Sequence, residues 1–177
     1  MRNKSHRAAQ TAAVTGVMAA LCLSALYCAE LLPVGRAGIT AVAGLILACS
    51  VVSAGLIPGI CGYAVVSLLG FLILPVKDCL LLFVCFFGLY PLLKSLFERL
   101  RLLPLVWVLK FLFFNAVLTL FWTLLREILF PFLPAALHTA APLYLVGNVA
   151  FIVYDVGFSK LMTFYSLRVD RVLRRMQ

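Results

Sequence analysis

The sequence predicts an all-α, polytopic integral membrane protein, a six-helix transmembrane bundle built as a single domain over residues 1–177. Three observations predict it. First, 65% of the residues are hydrophobic and 12% charged, whereas a soluble domain carries about 25% charged residues. Second, apolar stretches long enough to cross a hydrocarbon core of roughly 30 Å recur from one end of the chain to the other. Third, the basic residues fall in clusters between alternate pairs of these stretches, as short loops on one face of a membrane require.

The spans follow in order. Span one covers about 8–32 and ends at "ELLPVGR", where Pro33 and Gly35 interrupt the helix. Span two, "AGITAVAGLILACSVVSAGLI", covers about 37–57. The uncharged "PGICG" reads as the next turn, and span three, about 59–75, borrows its residues to reach full length. After "LPVKD", span four covers about 79–96; Pro91 lies inside it, and the charged "KSLFERLR" closes it. Span five covers about 105–128. The three prolines of "LFPFLPAALHTAAP" argue against one continuous helix there, and span six covers about 143–167. The 129–142 connector fits a lid or a plain link.

An even number of spans puts both termini on one side. Arg2, Lys4, Arg7, Lys94, Arg99, Arg101, Arg168, Arg171, Arg174 and Arg175 lie on that side, against Arg36, Lys77 and Arg126 on the other. This asymmetry assigns both termini to the cytoplasm. The net charge of +9 is thereby explained by topology without nucleic acid. The N-terminal apolar run reads as a span rather than a cleaved signal peptide, because no small-x-small site follows at the usual distance.

Motifs for chemistry are sparse. Cys22, Cys28, Cys49, Cys61, Cys79 and Cys85 lie in or beside spans without C-x-x-C spacing, and read as packing residues. His6 and His138 have no partners at ligand spacing, so no metal site is expected. The chain shows no G-x-S-x-G, no H-E-x-x-H and no phosphate loop. The reading is a binding protein, not an enzyme, with no catalytic residues and no cofactor.

Two patterns go beyond hydrophobicity. On span one, Ala8, Ala12, Gly16, Ala20, Ser24 and Cys28 recur every four residues. Such a small-residue ridge lets another helix approach closely, either a neighbouring span or another protein. On span five, Asn115, Thr119, Trp122 and Arg126 share a face; on span six, Tyr144, Asn148, Phe151, Asp155 and Ser159 do the same. The two helices are consecutive and antiparallel, so the stripes can face each other.

Counted from the cytoplasmic ends at about 1.5 Å per residue, Asn115 and Asp155 both lie roughly 15 Å deep. A carboxylate at that depth costs at least ~2.5 kcal/mol and needs a partner. One reading is a clamp, Asp155 with Asn115 or with Lys110. The other is the floor of a polar cavity that opens outward past Asn148, Tyr144 and Trp122 to Arg126 and Glu127, a suitable small-molecule pocket.

The span count, the basic ends and the ridge "AAVTGVMAALCLSA" resemble the substrate-binding S components of energy-coupling factor transporters. That resemblance implies a transmembrane coupling subunit and ATPase subunits as partners, with Ala12, Gly16, Ala20 and Ser24 as docking residues. It also implies a vitamin or metal-ion pocket at the outer ends of the last helices, where Asn115, Thr119, Trp122, Arg126, Tyr144, Asn148 and Asp155 become the substrate-binding set. The segments "FFGLYPLLKSLFERL", "KFLFFN" and "GNVAFIVYD" also resemble a group of small uncharacterised bacterial membrane proteins. That likeness groups Tyr90, Pro91, Lys94, Asn115, Asn148 and Asp155 in one arrangement.

The expected function is therefore a binding subunit in the bacterial cytoplasmic membrane, embedded in the lipid bilayer, that takes up a small solute. The alternative is a structural or assembly membrane protein in which the Asp155 cluster only holds the helices.

Overall fold

The computed structural model describes residues 2–100, 102–129 and 138–175. Every described element is helical, and six helices are long and apolar enough to cross a membrane. They are α1 (Arg2–Leu31), α2 (Arg36–Ala54), α3 (Leu56–Ile73), a broken fourth span, α6 (Leu103–Thr123) and α8 (Ala140–Arg175). The fourth span runs as α4 (Asp78–Leu82), a π-helical turn (Phe83–Phe87) and α5 (Leu89–Phe97), and a short α7 (Arg126–Leu129) follows α6. The chain is an all-α, multi-pass membrane bundle.

The spans agree with the hydropathy reading, but three boundaries move. The turn between spans two and three is Gly55 alone, at φ +100°, rather than "PGICG". Only glycine adopts that φ without strain. Pro58 falls in the first turn of α3, where a missing N–H costs nothing, so it begins a helix instead of breaking one. Span five stops at Thr123, short of the expected 128, which puts Arg126 beyond the end of the helical stripe. Span six extends in both directions beyond 143–167. Residues 130–137, the centre of the connector read as lid or link, lie outside the described residues.

The described residues form two compact units, one within 1–92 and 159–177 and the other within 93–158. In the first, Ala19, Cys22 and Leu26 of α1 pack with Ala43 and Leu47 of α2, Val66 of α3, and Leu80 and Phe83 of the fourth span. The Cys22 thiol donates to the Ala43 carbonyl at 3.3 Å, which fits its reading as a packing residue. Lys77 closes the end of α3 by donating to the carbonyls of Phe71 and Leu74, as a cation at a helix C-terminus should.

The π turn has a local cause. Pro91 has no N–H to give the Phe87 carbonyl, so the regular i to i+4 ladder cannot pass through it. The helix takes up an extra residue there, with Gly88 N–H donating to Phe83 O at 2.7 Å. The Phe87 carbonyl then lies against Gly44 of α2, where an added Cβ would stand 2.4 Å from that oxygen. Beyond Pro91 the helix continues to Phe97.

In the second unit, α6 and the first half of α8 meet through aromatic side chains. Phe114 stacks on Phe151 at 4.6 Å between centroids, and Phe111 meets the same ring edge-on at 5.8 Å. Gly147 of α8 lies under Leu118 and Phe114 of α6, and an added Cβ there would approach Leu118 to 3.3 Å.

Candidate functional site

The predicted stripes on α6 and α8 do face each other. Asn115 and Asn148 exchange side-chain hydrogen bonds, Asn115 Nδ2 donating at 2.9 Å and Asn148 Nδ2 returning one at 3.1 Å. Each amide also donates to a carbonyl of its own helix, Phe111 O and Tyr144 O. About one helical turn further along, the hydroxyls of Thr119 and Tyr144 share a bond of 2.6 Å. Beyond them the Arg126 guanidinium covers the Trp122 ring at 4.9 Å; α6 has ended by then, and this contact keeps Arg126 beside the stripe.

Asp155 lies elsewhere than expected relative to Asn115. Its carboxylate takes Lys110 Nζ at 2.9 Å and also accepts from Lys94. Of the two clamps considered, the Asp155–Lys110 pair forms and the Asp155–Asn115 pair does not, because Asn115 is engaged by Asn148. The depth count missed the partner by seven residues. Seven residues return an ideal helix to within roughly 20° of the same face but move it about 10 Å along the axis. Face periodicity therefore predicted the correct stripes, and could not choose between registers two turns apart.

Glu98 completes the charge cluster. Its Oε1 lies 3.1 Å from Lys94 Nζ and 3.4 Å from Lys110 Nζ. Two ammonium groups thus share two carboxylates, which leaves no net charge. Each ammonium also faces an aromatic ring, Lys94 that of Phe158 and Lys110 that of Trp107, both at 5.3 Å. The four-carbon stem of Lys110 bridges the angle that separates it from the Asn115 face.

The resemblance to the uncharacterised membrane proteins already grouped Lys94 with Asp155, although the charge count treated Lys94 as a loop residue; Glu98 was not singled out from the sequence. The signal was present: Lys94 falls inside the span boundary at 96, so it needed a partner as much as Asp155 did. Glu98 four residues on supplies one on the same helical face.

Along the stripe the polar side chains bond one another, Asn115 with Asn148 and Thr119 with Tyr144. The groove that reaches Asn115, of about 420 Å³, is otherwise lined by Trp107, Val108, Phe111 and Leu112 and is apolar. Arg126 and Glu127 line a separate hollow of about 350 Å³ with Leu124 and Leu125.

The ridge on α1 is open. The core side of the helix carries Ala19, Cys22, Leu26 and Ala29, while Ala12, Gly16, Ala20 and Ser24 are exposed. An added Cβ at Gly16 would meet nothing within 4 Å. Ala12 and Gly16 form one wall of a groove of about 500 Å³ whose other wall is Pro58, Cys61 and Gly62 of α3. Within the first unit, these positions line that groove or face outward rather than the core.

Neither family models, curated proteins nor solved structures gave a significant match to this chain.

Proposed function

We propose that this chain is the substrate-binding membrane subunit of an energy-coupling-factor-type uptake transporter for a small solute such as a vitamin or micronutrient. It would sit in the bacterial cytoplasmic membrane with both termini inside. The observation that carries this reading is the open α1 ridge. Ala12, Gly16, Ala20 and Ser24 lie on the exposed side of a helix whose opposite side already supplies the core. Where lipid removes the hydrophobic incentive, close backbone approach is what drives helix association, so a transmembrane coupling subunit has a surface to dock on. ATP hydrolysis belongs to further subunits, because this sequence carries no phosphate loop. A solute entering between α6 and α8 would exchange its own polar groups for the Asn115–Asn148 and Thr119–Tyr144 bonds, with Trp122, Arg126 and Asp155 at the two ends of the path.

A second reading, a structural or assembly membrane protein, is favoured by one specific observation: Asp155 and the stripe are satisfied internally. Affinity purification from native membranes in mild detergent, with mass spectrometry of proteins and small molecules, separates the two. Recovery of a coupling subunit with paired ATPases, lost on Gly16→Leu/Ala20→Leu, supports the transporter. Recovery of the chain without them moves the weight to the structural reading.

A further inference from the structure

The four-charge cluster has one member unlike the rest. The side chains of Lys94, Lys110 and Asp155 are 5%, 6% and 3% exposed, whereas that of Glu98 is 48% exposed. The buried part alone carries two positive charges and one negative. The fourth charge comes from a side chain in the turn after α5, whose backbone N–H is still tied to Lys94 O at 2.9 Å. One oxygen of that side chain bridges both ammonium groups. Lys94 lies three residues from the end of α5 and Lys110 seven from the start of α6, so both ammonium groups are within about 10 Å of a helix end.

We propose that Lys94 and Lys110 form an anion site for a phosphate group, and that Glu98 is its built-in, displaceable occupant. Glu98 Oε1 already shows that one anionic oxygen fits between the two ammonium groups. A phosphate oxygen makes the same bridge with charge-assisted hydrogen bonds, and Glu98 is free to swing outward because it is half exposed. Asp155 stays in place beneath and keeps the site from carrying two uncompensated charges. The shared chemistry is a phosphate monoester or diester, from a lipid headgroup or a soluble molecule. The inference does not depend on the transport reading.

The test uses the full chain in phosphatidylcholine nanodiscs, with phosphatidylglycerol as one probe, read by native mass spectrometry, and inorganic phosphate as the other, read by calorimetry. Glu98→Gln removes the competing charge and should tighten binding of at least one probe about tenfold. A gain for the lipid alone assigns a headgroup, a gain for inorganic phosphate alone assigns a soluble ligand, and either supports the site. The gain should vanish in Glu98→Gln/Lys110→Met and be absent in Glu127→Gln, which makes the same charge change elsewhere. The unaltered protein gives an independent readout: carbodiimide modification of Glu98 should rise severalfold with the bound probe. No gain with either probe and no change in Glu98 modification overturns the proposal, as does a gain that survives Lys110→Met.

Discussion

Lys110 Nζ stands 2.9 Å from Asp155 Oδ2, joining α6 to α8 inside a cluster that also holds Lys94 and Glu98. The charge balance of that cluster, rather than any single bond in it, sets the order in which substitutions should hurt.

Asp155→Asn keeps the shape but leaves two buried ammonium groups with one half-exposed carboxylate. Breaking a buried pair from one side costs about 3–5 kcal/mol, and that loss is expected here despite the isosteric side chain. Lys110→Met leaves Lys94 and Asp155 still paired and should cost less than Asp155→Asn. The double variant Asp155→Asn/Lys110→Met should recover part of the loss, because it removes one charge of each sign. Unfolding titrations in mixed micelles give the three values. Equal losses for both single variants would contradict the charge-balance account.

Asn115→Ala and Asn148→Ala each remove two interhelical bonds, but the surviving amide keeps its bond to the carbonyl one turn back. Interhelical polar bonds in membranes average about 0.6 kcal/mol and reach about 1.7, so each variant should lie in that range. A double-mutant cycle should return a coupling of the same size. Zero coupling would mean that the two amides do not bond each other.

Two glycines should behave oppositely. Gly44→Ala forces a Cβ to within 2.4 Å of the Phe87 carbonyl, and the clash is with backbone, so relief requires α2 to shift. A destabilisation of about 1–3 kcal/mol is expected. Gly16→Ala meets open space on a helix and should stabilise the isolated protein by up to about 1 kcal/mol. Thermal unfolding of the two variants side by side checks the contrast.

The same geometry separates docking from folding on α1. Gly16→Leu/Ala20→Leu places bulk on an exposed face, so the purified chain should lose no more than about 0.5 kcal/mol of stability relative to the unaltered protein. Association with a helical partner should nevertheless fall, as read by co-purification. A variant that loses folding along with association would place the ridge in the protein's own packing.

The sequence by itself determined the fold class and the number of spans, because hydropathy and length are properties of each segment alone. It also determined which faces of spans five and six carry polar groups, since Asn115, Thr119, Tyr144, Asn148 and Asp155 announce themselves by helical period. Tertiary structure decided the rest. Register between α6 and α8 depends on side chains from distant parts of the chain, and a shift of two turns preserves every face while changing every partner. That is why Asn115 belongs to Asn148 and Asp155 to the lysines. The open state of the α1 ridge was likewise undecidable from its four-residue spacing, because a helix with small residues on one side and Cys22 and Leu26 on another can bury either. Packing of Cys22 and Leu26 into the core left Gly16 facing out.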